Sequence, residues 1–130
     1  MDTLKLEILT PNGEIFNGEA LSVVLPGEEG EFGVLAGHAS LTTLLTSGVV
    51  DVEKKDKSVE AIVISWGVVQ VDEEKVIILV EGAAPIRGNN EAEIAQALDD
   101  AKKLIKDVAD SSAAIAVVSS KIESAAQRLL

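Results

Sequence analysis

Few residues in this chain have the type and spacing for covalent chemistry. His38 is the single histidine, in Gly37-His38-Ala39, and cysteine is absent. A zinc site takes three or four His, Cys or carboxylate ligands, so a lone histidine without thiolates cannot build one by itself. In such a setting the residue is expected to hydrogen-bond at a loop or an interface. Work as a general base would need a nucleophile within reach and a third group to orient the ring. Ser40 and Ser65 qualify by type only, since neither lies in a Gly-x-Ser-x-Gly elbow. The phosphate-cradling patterns Gly-x-x-x-x-Gly-Lys-Ser/Thr and Gly-x-Gly-x-x-Gly are both missing, which removes the P-loop route to nucleotide hydrolysis. Glu28, Glu29 and Glu31 cluster between glycines. Their spacing does not match a calcium loop, which alternates oxygen ligands and ends in a bidentate Glu. Two readings stay open for them: a solvated acidic loop, or an electrostatic contact for a basic partner surface.

The elements that carry these residues read first as strands. Leu4, Leu6 and Ile8 alternate with Lys5 and Glu7, the pattern of a half-buried strand. Pro11-Asn12-Gly13 is a hairpin turn signal. Glu14 to Phe16 and Glu19 to Leu25 follow, the latter with no clear inner face. Pro26 to Gly33 is rich in breakers and acids and reads as a loop. Leu41 to Leu45, Gly48 to Glu53, Val59 to Ser65, Val68 to Val71 and Lys75 to Glu81 are further short strands, with Lys54 to Lys57 and Asp72 to Glu74 as turns. Many short strands at regular spacing indicate a β-sandwich or barrel.

Gly82 to Asn90 contains Pro85, Gly88 and a possible capping box from Asn90 to Glu93, and reads as a linker. Beyond it, Ile94, Leu98, Ala101, Ile105 and Val108 form one apolar stripe on a helix. Asp110-Ser111-Ser112 offers a cap for a second helix, striped by Ile115, Val118, Ile122, Ala125 and Leu129. Two such helices joined by a short loop make an antiparallel hairpin with little core of its own. The fold class is therefore α+β: a sandwich over 1–84, a linker over 85–90 and a helical arm over 91–130.

The formal net charge of −11 disfavours nucleic acid and anionic lipid as partners. The charge is uneven: residues 1–84 carry 15 acidic and 5 basic side chains, and residues 85–130 carry 7 and 6. The start, Met1-Asp2-Thr3-Leu4-Lys5, lacks the pattern of a signal peptide. The apolar stretch from Ala61 to Val71 falls well short of the ~20 residues that span a bilayer. Any link to a membrane is expected to run through a partner.

The run Gly30-Glu31-Phe32-Gly33-Val34-Leu35-Ala36-Gly37-His38-Ala39-Ser40-Leu41 resembles the signature of the ATP synthase epsilon subunit family, Gly-x-x-Gly, two apolar residues, then Pro-Gly-His-x-Pro-Leu. Ala36 and Ser40 stand where that signature has prolines. Ser65-Trp66-Gly67-Val68-Val69-Gln70-Val71 is similar to the family's Ser-Gly-Gly-apolar strand, and Lys75 to Ala83 to its last strand. The resemblance implies a sandwich of about ten short strands and a two-helix arm. It implies no catalytic residue and a place at the foot of the central stalk. There Glu31, Phe32 and Gly33 face the polar loops of the c-ring, and His38 lies near the gamma subunit. The arm would reach the alpha and beta subunits of the catalytic head. Its location would be peripheral, on the cytoplasmic face of the bacterial inner membrane, with membrane contact only through the ring.

Many members of that family bind ATP through Ile/Leu-Asp-x-x-Arg-Ala on the first helix. The nearest match here is Leu98-Asp99-Asp100-Ala101-Lys102-Lys103, with Lys102 at the arginine position. Lysine lacks the bidentate fork of arginine, so Asp99 and Lys102 are expected to make at most a weak nucleotide contact; otherwise no cofactor is expected. Ala113 to Leu130 carries only Lys121, Glu123 and Arg128 as charged residues, so inhibition of the head through the arm is expected to be weak or non-electrostatic. Two other classes stay open from pattern alone: a stand-alone sandwich interaction module with a helical tail, and a hydrolase using Ser65 or His38.

Overall fold

Alternating and continuous apolar runs become strands here, and the difference between them reports how many faces are covered. The computed structural model describes residues 3–87, 90–108 and 120–127. Ten strands form in order: β1 (Leu4–Thr10), β2 (Gly13–Ala20), β3 (Ser22–Gly27), β4 (Gly30–Leu35), β5 (Leu41–Leu45), β6 (Gly48–Glu53), β7 (Val59–Ile64), β8 (Gly67–Val71), β9 (Lys75–Val80) and β10 (Ala83–Pro85). One helix, α1 (Glu91–Val108), follows, and residues 120–127 are helical again. This is the expected α+β arrangement.

The strands pair in the order β10-β7-β6-β3-β5-β8-β9-β1-β2, with β4 hydrogen-bonded to β3. The sheet doubles over on itself. β3 is the corner: its first half pairs with β6, and its last residue, Gly27, pairs with Leu45 of β5. The inner face is aliphatic. Leu4, Leu6 and Ile8 of β1 meet Val23 and Leu25 of β3, Val50 and Val52 of β6, Ile62 and Ile64 of β7, and Ile78 of β9. Val23 and Leu25 settle which face of the third strand is buried. With almost no aromatic residues, the core is packed from Val, Ile and Leu, each contributing roughly 1.5–3 kcal/mol on full burial.

β6 and β7 are buried on both sides, which is why they read as unbroken apolar runs. Val49, Ala61 and Val63 point away from the main core into a second cluster with Ile86, Ile94, Ala101 and Ile105. Ile122, Ala125 and Ala126 of the second helical segment complete that cluster. The stripe Ile94-Leu98-Ala101-Ile105 thus lies on the sandwich as its spacing predicts. Asn90 Oδ1 accepts the Glu93 N–H at 2.9 Å, one half of the capping box. Segment 120–127 runs antiparallel to α1: Glu123 pairs with Lys102, while Ala126 and Gln127 line a groove with Glu91 and Ile94. The predicted cap at Asp110-Ser111-Ser112 and the stripe residues Ile115, Val118 and Leu129 lie outside the described residues.

Two sequence expectations need correction. Pro26 to Gly33 is a hairpin, with β3 and β4 joined at Glu28 and Glu29. Glu31, Phe32 and Gly33 therefore sit on a strand. The breakers serve that hairpin. Pro26 has no N–H, but its carbonyl takes the Thr46 N–H at 2.9 Å. Gly27 lets the strands close, since an added Cβ would meet the Gly30 carbonyl at 2.7 Å and the Phe32 ring at 2.8 Å. Within 82–90, read as linker, Ala83–Pro85 pairs with β7. Pro85 is tolerated because β10 is an edge strand.

Candidate functional site

The sandwich has two outer faces, and among the described residues only one is covered. On the layer of β5, β8, β9 and β1, cross-strand partners place Leu44 beside Val68, Val68 beside Leu79, and Leu79 beside Leu9. Directly opposed residues share a face, so these four form one apolar row across four strands. Leu44 is 56% exposed, Leu79 46%, and Trp66 beside them 55%. With Thr10 and Pro11 they line a shallow groove. The sequence signalled Leu9, Leu44, Val68 and Leu79 as strand, with Pro11 in a turn and Trp66 between two strands. It did not show that they align outward, because that depends on pairing registers between distant segments. Further along the same face the character changes to charge: Glu7 lies 3.5 Å from Lys75.

Gly67 makes this row possible. It pairs with Val80, and a Cβ there would stand 2.0 Å from the Leu79 carbonyl and 2.8 Å from the Val80 Cα. The close approach of β8 and β9 requires a bare α-carbon.

The residues singled out from the sequence separate into three places. Glu31 is the second residue of β4, next to the hairpin tip, and pairs with Lys121 Nζ at 2.7 Å. Phe32 is half-buried against the main core, and Gly33 is exposed beside Val24 of β3. His38 lies beyond the other end of β4, after a turn in which Gly37 takes φ 85°. Its Nδ1–H donates to the Ala39 carbonyl at 2.7 Å. A carbonyl only accepts, so the proton is on Nδ1. At about 3.3 Å rise per residue, β4 holds the acidic tip and His38 at opposite ends.

Asp99 and Lys102 do not converge on a common ligand. Asp99 pairs with Lys103 at 3.4 Å, and Lys102 pairs with Glu123 at 2.6 Å. A phosphate at this position would have to break an existing ion pair. Ser65 is buried, and its hydroxyl is engaged by one residue: Oγ accepts the Gly82 N–H at 2.9 Å and donates to the Gly82 carbonyl at 3.3 Å. The Ser47 hydroxyl donates to the Ser65 carbonyl. Ser65 therefore ties the end of β7 to the residue before β10.

A polar staple ties the segment after β10 back onto the sandwich. Arg87 Nη2 donates to Glu60 Oε2 at 2.7 Å and to the Ile15 carbonyl at 3.3 Å, and Lys54 lies 3.3 Å from Glu60. Ile15 is available because the β1–β2 register slips there, with Ile8 opposite Phe16 and Leu9 opposite Glu14. Burial works against the charge on Glu60. The hydrogen bond and charge of Arg87, helped by Lys54, more than offset it, and its pKa is held below the usual carboxylate value. A depressed carboxylate adds stability that is complete above the unfolded-state pKa and is lost as the pH falls through the folded one. Glu60→Gln is therefore expected to lower the urea midpoint at pH 7. The gap to the parent protein should close as the pH falls below the ordinary glutamate range and through the lowered folded-state pKa. A gap that stayed constant would show that the staple adds no charge-dependent stability.

An aliphatic sandwich with an acidic tip, a bare apolar row on one face and a helical arm on the other defines a docking module. The profile of the ATP synthase, Delta/Epsilon chain, beta-sandwich domain matches residues 3–86. Over the full length of both chains, the protein is 67% identical to the ATP synthase epsilon chain of Sulfurimonas denitrificans. It is 53% identical to that of Campylobacter fetus over 98% of each chain. A chain in the mitochondrial ATP synthase of Euglena gracilis shares the fold, with a TM-score of 0.63 at 24% identity, covering 96% of this chain and 76% of that one. The chain belongs to the ATP synthase epsilon chain family.

Proposed function

We propose that this subunit does no chemistry itself and couples rotation of the c-ring to the catalytic head by binding the gamma subunit. The observation that carries this reading is the exposed row Leu9-Leu79-Val68-Leu44 with Trp66. Monomeric proteins rarely leave a contiguous apolar patch of this kind bare, and such patches mark partner surfaces. The row is our candidate for the main gamma contact, with His38 as a second one. The hairpin tip carrying Glu31, Phe32 and Gly33 is assigned to the polar loops of the c-ring, where an acidic side chain suits a basic partner.

Separation of the tip from His38 along β4 suits a body that holds two partners at once. The unit over 91–130 serves as the regulatory arm toward the alpha and beta subunits, and its effect on hydrolysis is weak. The subunit works at the cytoplasmic face of the bacterial inner membrane. No helix among the described residues is long and apolar enough to cross a membrane, and the ring supplies the membrane contact.

Calorimetry with purified gamma from the same source tests the reading. A one-to-one complex with a negative heat-capacity change, the mark of apolar burial, is expected. Failure to bind a well-folded gamma would reduce the protein to a stand-alone interaction module.

A further inference from the structure

The arm is held to the sandwich by two kinds of contact. One is apolar, on Val49, Ala61 and Val63. The other is polar and reaches a different element. Lys121 Nζ lies 2.7 Å from Glu31 Oε2, with both side chains about half exposed. Lys121 shares its groove with Val49, Asp51, Ser120 and Ser124. Glu31 is also the carboxylate that the proposed function assigns to a basic group on the ring.

We infer that Glu31 is a shared acceptor for which Lys121 of the arm and a basic side chain of the ring compete. Seating the hairpin tip on the ring then releases the polar latch on the arm. This rests on the reading of Glu31 as a ring contact. The argument is one of shared charge: a second cation brought onto Glu31 repels the Lys121 ammonium and draws on the same carboxylate, which weakens the contact already there. Linkage makes the effect reciprocal. By whatever factor Lys121 lowers ring affinity, the ring lowers docking of the arm. An exposed pair carries a factor of about two to five. The latch therefore biases the arm, while the apolar contact carries most of its docking.

The test uses the full-length chain bound to gamma, titrated onto detergent-solubilised c-ring, with amide hydrogen exchange of residues 120–127 in the free chain as a second readout. Lys121→Ala should tighten ring binding about two- to five-fold and speed exchange over 120–127. Glu31→Gln should weaken ring binding, and Lys121→Ala added to it should then change ring affinity no further. If Glu31→Gln weakens ring binding while Lys121→Ala leaves it unchanged, the latch is refuted and the ring contact stands. If Lys121→Ala leaves exchange over 120–127 unchanged, the pair does not hold the arm and the inference fails. If Glu31→Gln leaves ring affinity unchanged, the assignment of Glu31 fails and the competition with it.

Discussion

Gly67→Ala is expected to destabilise the protein by about 3 kcal/mol, the upper part of the range for overpacking, and to lower the melting temperature by about 10 °C. The reason is space and not backbone conformation, since Gly67 does not need a positive φ. The new methyl would stand 2.0 Å from the Leu79 carbonyl, with the Val80 Cα also inside contact distance. These are main-chain atoms of a paired strand, so no rotamer change can make room. β8 and β9 must separate, and both contribute to the main core through Val69, Val71, Val76 and Ile78. Thermal unfolding followed by circular dichroism reads the effect directly. Gly33→Ala is the matched control. A Cβ at Gly33 would have only the Val23 carbonyl near it, at 4.0 Å, so this change should move stability by no more than about 0.5 kcal/mol. Equal losses from the two substitutions would mean that close approach at Gly67 is not what the glycine provides.

Leu79→Glu is the second substitution with a large expected effect, and here the effect falls on binding. Leu79 sits mid-row, 46% exposed, with Val68 on one side and Leu9 on the other. A carboxylate there faces water in the free subunit, so the fold should keep its stability to within about 0.5 kcal/mol. In the gamma contact proposed above, the same carboxylate would be buried without a partner. Substitutions at the centre of an interface typically remove 2 kcal/mol or more, and an unpaired charge adds to that. Affinity for gamma should therefore fall about 100-fold. The comparison with Val59→Glu is informative because Val59 is also exposed, at 38%, but lies on β7 outside the row. An unchanged affinity in Leu79→Glu would place the gamma surface elsewhere.

What could be read from the residues divides along a physical line. β6 was legible to the residue, because Gly48 and the charged turn after Glu53 bound an apolar run that both the core and the arm bury. α1 was legible from its stripe and cap, which are local. The β3–β4 hairpin was hidden because Pro26, Gly27 and Gly30 signal irregular chain by composition. Their actual work depends on the Phe32 ring across the hairpin and on the Thr46 N–H just past β5. β10 was hidden for a similar reason, as Ala83-Ala84-Pro85 has no intrinsic strand pattern and takes its form from β7. At the candidate site, Glu31 and His38 stood out through a motif. The row Leu9-Leu79-Val68-Leu44 did not, since an outward leucine and an inward one look alike until registers are known.

The pairing of β1 with β9 has a consequence in time. It is parallel, and it joins the first strand to the ninth, with Lys5 beside Lys75. During synthesis β1 can form its hairpin with β2 early, but its other edge waits until nearly the whole sandwich has left the ribosome. Contacts this distant along the chain slow folding. Until β9 arrives, that backbone edge of β1 stays unpaired, which exposes the nascent chain to aggregation. The arm, made last, would then dock on a body that has already closed.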